Sequence, residues 1–156
     1  MPTEIERKFL VTGTEWHEAF SIYIRQGYLC RENEITVRVR LTGENAFLTI
    51  KGIKKGISRP EFEYEIPVAD AEQLLKLSDG CVIEKIRHVV MYKGFKWEVD
   101  EFLGENVGLI VAEIELEKED QIFERPDWLG REVTGDPRYA NASLVSNPFS
   151  NWRDLR

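Results

Sequence analysis

Eight stretches of this chain read as extended strands, and in most of them a charged residue recurs at every second position. Side chains two apart on a strand share a face, so the pattern describes a sheet with one charged side and one apolar side. Residues 59–66 show it most clearly. Arg59, Glu61, Glu63 and Glu65 fall on one face and Phe62, Tyr64 and Ile66 on the other, with Pro60 marking an edge or strand-entry position.

The same alternation recurs from the first residues onward. Glu4, Glu6 and Lys8 alternate with Ile5 and Arg7 before an apolar exit at Phe9, Leu10 and Val11. Residues 34–41 set Thr36, Arg38 and Arg40 against Ile35, Val37, Val39 and Leu41, and residues 46–51 put Phe47, Thr49 and Lys51 on one side. Lys85, Arg87 and Val89 oppose Val82, Ile86 and His88 in 81–92, while Glu98, Asp100 and Phe102 oppose Trp97 and Val99 in 95–102. Residues 109–117 place Val111, Glu113, Glu115 and Glu117 opposite Ile110, Ala112, Ile114 and Leu116. Residues 21–31, rich in Ile22, Tyr23, Ile24, Tyr28 and Leu29, complete the eight.

Turn signals separate the strands: Glu32-Asn33, Thr42 to Asn45, and Lys93-Gly94. Residues 52–58, with Gly52, Gly56 and the Lys54-Lys55 pair, read as a flexible loop. One helix of useful length is predicted over 67–80, with Asp70 as N-cap, Gln73 at the capping-box position, an apolar stripe of Leu74, Leu75 and Leu77, and Gly80 as C-cap. Short helices are predicted over 15–20, capped by Thr14, and over 138–144, where Asp136 precedes Pro137. The expectation is one mainly β domain over residues 1–156. Eight hairpin-connected antiparallel strands are enough to close into a β-barrel, with the few short helices packed outside.

A net charge of −7 argues against a nucleic-acid partner held by a basic surface. No apolar run approaches the roughly 20 residues that span a bilayer, and the chain is charged from Glu4 onward. The expectation is therefore a soluble cytoplasmic protein, monomer or homodimer, without a membrane or nucleic-acid partner. Cys30 and Cys81 lie far apart and share no metal-site spacing with His17 and His88, so they read as incidental thiols in a reducing compartment.

Periodicity leaves two arrangements open. Either the charged faces meet solvent around an apolar core, or they converge inside a wide, wet barrel whose apolar outer faces are covered. The charges are segregated: Arg38/Arg40, Lys51 and Lys85/Arg87 mark basic strands, and Glu61/Glu63, Glu98/Asp100 and Glu113/Glu115 acidic ones. Burying such charges unpaired costs several kcal/mol each, so a converging interior needs water, metal and a highly charged ligand. A polyphosphate bound with Mg²⁺ or Mn²⁺ meets that need, because hard cations prefer carboxylate oxygens and guanidinium forks match phosphate oxygens.

Glu4-Ile5-Glu6-Arg7-Lys8 resembles the ExExK signature of the CYTH superfamily, the triphosphate tunnel metalloenzymes. The likeness continues in order through Arg38-Val39-Arg40, Lys51, Arg59 with Glu61 and Glu63, Lys85 and Arg87, Asp100, and Glu113-Ile114-Glu115. The resemblance implies an eight-stranded antiparallel tunnel that binds a small-molecule triphosphate with Mg²⁺ or Mn²⁺. Its members include inorganic tripolyphosphatases, thiamine triphosphatases, class IV adenylate cyclases and RNA triphosphatases, and this chain is most similar to the small bacterial tripolyphosphatases. Carried over, Lys8, Arg38, Arg40, Lys51, Arg59, Lys85 and Arg87 would hold phosphate. Glu4, Glu6, Glu61, Glu63, Asp100, Glu113 and Glu115 would hold metal and water, and Glu4, Glu6, Lys8 and Glu63 would be catalytic. The alternatives are a class IV adenylate cyclase, a nucleoside or thiamine triphosphatase, and a non-catalytic polyphosphate or nucleotide sensor.

Several residues are placed by pattern alone. Gln26 and Tyr28 can approach the tunnel, and Glu65 and Glu117 extend the acidic rows toward a solvated rim. Trp16, Trp97, Trp128 and Trp152 are expected in outer packing, and Arg138 and Tyr139 on a surface helix or over one tunnel end.

Overall fold

The computed structural model describes residues 3–18 and 20–152. All eight expected strands form: β1 (Thr3–Val11), β2 (Phe20–Glu32), β3 (Ile35–Thr42), β4 (Asn45–Lys51), β5 (Ser58–Ile66), β6 (Asp79–Tyr92), β7 (Phe95–Phe102) and β8 (Ile110–Glu115). A ninth, β9 (Leu129–Glu132), was not expected. The sheet runs β5-β4-β3-β2-β6-β7-β8-β1-β9, and a β5–β1 pairing closes its first eight strands into an antiparallel barrel. That closing seam has three residue pairs, Thr3 with Pro60, Glu4 with Arg59 and Ile5 with Ser58. β1 then turns to β8 over Glu6 to Leu10 and carries β9 beside its last residues.

Two of the turns show how the register is set. Asn33 and Glu34 both have positive φ, as do Lys93 and Gly94, which is the backbone of two-residue hairpin turns whose twist matches the strands. The first turn therefore lies one residue later than expected, because Glu34 takes a left-handed conformation that glutamate does not announce.

The charged faces point inward. On the outside, Phe9, Trp97, Val99, Ala112 and Ile114 pack with Trp16, Leu116 and Trp128. Trp16 belongs to a 3-10 turn over Glu15–Glu18, where a short helix was expected over 15–20; residue 19 of that range lies outside the described residues. On another side Val39, Leu41 and Ala46 are covered by Ala71 and Leu75 of α1 (Val68–Leu75). Each outer face thus removes its apolar area from water, which compensates for a polar interior.

α1 is shorter than the expected 67–80. Pro67 occupies the N-cap with no side-chain capping bond, Asp70 lies in the first turn, and Lys76 is the C-cap. Leu77 is 72% exposed, outside the apolar stripe. Asp79 and Gly80 belong instead to β6, where Asp79 pairs with Tyr28. Gly80 (φ +72°) serves a close approach: a Cβ there would lie 2.6 Å from the Val145 carbonyl oxygen. Tertiary pairing of the strand wins over the local capping signal.

The C-terminal segment closes one part of the barrel. Asp136 caps a 3-10 turn over Pro137–Tyr139, accepting from the Arg138 N–H at 3.1 Å, and α2 (Asn141–Leu144) follows after an extended Ala140. Tyr139, Leu144, Val145 and Trp152 pack with Tyr28, Ile83, Phe102 and Val111 of the barrel wall. Trp152 therefore packs in this closing cluster rather than on the outer wall with the other three tryptophans.

Candidate functional site

Inside the barrel lies a cavity of about 810 Å³. Its walls carry Glu4, Glu6, Lys8, Arg38, Arg40, Lys51, Arg59, Glu61, Glu63, Lys85, Arg87, Glu113 and Glu115, so the structure brings together every expected site residue except Asp100. Tyr28 and Glu98 join them, whereas Glu65 and Glu117 are exposed and do not line it. The period-two rule on eight strands produces this convergence: inward positions on a closed sheet share one interior.

The basic wall is a connected polar network. Arg40 Nε donates to Gln26 Oε1 at 2.8 Å, and Gln26 Nε2 donates to Asn141 Oδ1 at 2.8 Å. Lys85 Nζ donates to the same Asn141 oxygen at 2.9 Å and lies 2.8 Å from Asp100 Oδ2. Arg87 grips Asp100 with both Nε (2.8 Å) and Nη2 (2.9 Å), a fork geometry that fixes both groups. Asp100 sits behind the wall with its oxygens committed to Lys85 and Arg87. Asn141 is the member that strand periodicity did not reveal, since it arrives from α2 with no pattern of its own.

Elsewhere the cations alternate with carboxylates. Lys51 Nζ lies 2.8 Å from Glu4 Oε2 and 3.5 Å from Glu61 Oε2. Lys8 Nζ is 3.7 Å from Glu113 Oε1 and 4.0 Å from Glu6 Oε1, and reaches the Tyr139 carbonyl at 3.5 Å. Arg38 Nη2 donates to Thr49 Oγ1 at 3.2 Å, and that hydroxyl donates to Glu63 Oε2 at 2.8 Å. Arg59 lines the cavity but spends Nε on the Gly52 carbonyl and Nη2 on the Glu34 carbonyl, both at 3.0 Å. These two bonds brace the loop after β4 and the β2–β3 turn.

These surroundings shift the ionisation of the walls. Burial, with Glu113 and Glu4 close by, pushes Glu6 up to about 8. Burial also pushes Glu113 up, but Lys8, Arg87 and Lys85 prevail and bring it down to about 2. Lys85 falls to about 7 and Arg40 to about 9, chiefly through burial and then through neighbouring guanidinium groups. Burial works against Glu4 as well, yet Lys51 brings it down, whereas Glu115, like Glu6, is pushed up by burial and by neighbouring carboxylates, so the unmatched negative charge of the acidic wall lies at Glu6 and Glu115.

That imbalance tests the fit of a metal. Glu6 stands directly opposite Glu115 across the β1–β8 ladder, and Lys8 opposite Glu113. Like charges facing each other are destabilising unless a cation lies between them. Clustered carboxylate oxygens are the donor set a hard divalent ion prefers. Among the described residues no three carboxylates or imidazoles already surround one point as ligands, and the Lys51 ammonium holds Glu4 and Glu61. The donors fit a hard divalent cation.

Comparison with known proteins finds relatives that span nearly the whole chain. An inorganic triphosphatase of Acetivibrio thermocellus is 51% identical over 156 residues, covering 99% of this chain and 100% of that protein. An inorganic triphosphatase of Nitrosomonas europaea is 40% identical over 147 residues, covering 92% and 97%. The crystal structure of the inorganic triphosphatase NE1496 superposes with a TM-score of 0.68 at 37% identity, covering 91% of this chain and 97% of that one. The CYTH domain model matches residues 2–146, a span that runs from β1 to the α2 segment and includes every side chain of the two walls, and the chain belongs to that family.

Proposed function

We propose that the protein hydrolyses inorganic tripolyphosphate to pyrophosphate and phosphate inside the barrel, with Mg²⁺ or Mn²⁺. The observation that carries this reading is the cavity itself, where a wall of Arg38, Arg40, Lys85 and Arg87 faces a wall of Glu4, Glu6, Glu113 and Glu115. The two relatives described as inorganic triphosphatases support it.

The basic wall binds the substrate. Arg40, Lys85 and Arg87 offer N–H donors to phosphate oxygens, and their hydrogen-bonded network keeps them in place before the substrate arrives; Arg38, bonded to Thr49, and Lys8, beside Glu113, add to them. Charge spread over the oxygens of the transferring phosphoryl group meets donors already oriented toward it. A bound divalent ion supplies further neutralisation of the triphosphate and a lowered pKa for water. Glu4, Glu6, Glu113 and Glu115, with Glu61 and Glu63, are the residues that would hold it. Water attacks a terminal phosphorus, the bridging P–O bond breaks, and pyrophosphate leaves. The proton of the water passes to Glu63, whose Oε2 accepts from the Thr49 hydroxyl at 2.8 Å.

Phosphate release from tripolyphosphate, ATP, thiamine triphosphate and pyrophosphate, each with Mg²⁺ or Mn²⁺, tests the proposal. The expected result is fastest release from tripolyphosphate. Faster release from ATP, cyclic AMP among the products, or tight binding without turnover in either metal would contradict it.

A further inference from the structure

Every cation on the cavity surface but one already has a protein partner among the described residues. Lys8, Lys51, Arg38, Lys85 and Arg87 are ion-paired, Arg40 is bonded to Gln26, Arg59 to two carbonyls, and Arg31 to Asp79 and Ser146. Lys54 lines the same cavity and makes no hydrogen bond or ion pair with the described residues. Its exposed side chain stands at the rim, close enough to Lys8 and Arg59 for their charges to act on it, after burial, in lowering its pKa.

The loop that carries Lys54 is built rather than loose. Lys55 and Ser58 exchange both backbone hydrogen bonds across a turn at Gly56 (φ +66°). Gly52 N–H donates to the Pro60 carbonyl at 2.9 Å, and Arg59 holds the Gly52 carbonyl. From the opposite side Glu119 accepts from the Ser58 hydroxyl at 3.1 Å and from the Ile57 N–H at 3.5 Å. Lys54 is thus carried by a braced loop beside the cavity, in a chain of net charge −7, where a polyanion otherwise meets repulsion.

We infer that Lys54 is a triphosphate-binding residue: its ammonium pairs with phosphate oxygens at the cavity rim, draws the substrate in, and holds one end of the bound chain. The inference rests on the proposed function and adds to it a contact carried by the β4–β5 loop. Lys55, next in sequence and exposed, does not line the cavity and provides the control.

The experiment compares Lys54→Gln, Lys54→Arg and Lys55→Gln with the parent chain. Calorimetry with tripolyphosphate in EDTA reads binding, and steady-state hydrolysis with Mg²⁺ reads kcat and KM. Lys54→Gln is expected to weaken binding and raise KM about five-fold with kcat within about two-fold, and to flatten the salt dependence of kcat/KM. Lys54→Arg and Lys55→Gln are expected to bind as the parent does. Parent-like binding by Lys54→Gln, a fall in kcat with KM unchanged, failure of Lys54→Arg to restore affinity, or an equal loss in Lys55→Gln would each overturn the inference. Absence of turnover in the parent chain would instead count against the proposed function, while the calorimetric comparison still decides the role of Lys54.

Discussion

Lys85 Nζ lies 2.8 Å from Asp100 Oδ2, and both side chains are 1% exposed. Arg87 bonds both oxygens of the same carboxylate and shares Oδ2 with Lys85, so one buried negative charge serves two buried positive ones. Asp100→Asn leaves Lys85 without a counter-charge and Arg87 with Glu98 alone, and is expected to destabilise the free protein by about 3 kcal/mol, the usual cost of breaking a buried ion pair from one side. Urea unfolding at neutral pH measures it, and added tripolyphosphate should recover part of the loss by supplying the missing negative charge. An Asn variant as stable as the parent would show that Asp100 does not anchor the wall.

The carboxylate wall makes a different prediction. Glu113→Gln and Glu6→Gln remove hard oxygen donors while leaving Arg38, Arg40 and Arg87 in place. Both variants are expected to bind Mn²⁺ about 10- to 100-fold more weakly and to need correspondingly more metal for hydrolysis. Calorimetric titration with Mn²⁺ checks this without turnover. Unchanged Mn²⁺ affinity in both variants would place the ion elsewhere.

Much of this interior is legible in the sequence because the charged positions obey the period of a strand. Glu4, Glu6 and Lys8 read as one row on β1, and Arg38 and Arg40 as one row on β3, so closing the sheet was enough to gather them. Asn141 and Lys54 lie on a short helix and a loop, where no period tells which way a side chain points. β9 escaped because Leu129-Gly130-Arg131-Glu132 is short and contains a glycine, whose role is close approach: a Cβ at Gly130 would lie 3.1 Å from the Leu10 carbonyl oxygen. Asp100 was legible as an inward residue on β7, but its neighbours decide its task. Only the folded barrel shows Arg87 and Lys85 using both of its oxygens.

A pH dependence of stability follows from the outer wall. Arg7 donates from Nε and Nη2 to Glu132 at 2.8 and 2.6 Å, fastening β9 to β1, and Thr134 Oγ1 adds a bond at 2.7 Å. The Arg7 hydrogen bonds, helped by Thr134, hold the Glu132 carboxyl below the ordinary glutamate range. A lowered folded value means that the pair stabilises the protein above the ordinary glutamate range and that the contribution is lost as pH falls from that range through the lower folded value. Glu132→Gln is expected to cost about 1 kcal/mol at pH 7, modest because the pair is partly exposed, and to converge with the parent near pH 3 in urea unfolding. A constant difference across that range would assign the loss to packing rather than charge.

The most direct measurement is a crystal soaked with tripolyphosphate and Mn²⁺. Anomalous density is expected beside Glu4, Glu6, Glu113 and Glu115, with the triphosphate along Lys8, Arg38, Arg40, Lys85 and Arg87. Triphosphate bound outside the barrel, or manganese away from that carboxylate wall, would contradict the assignment of the interior as the site of hydrolysis.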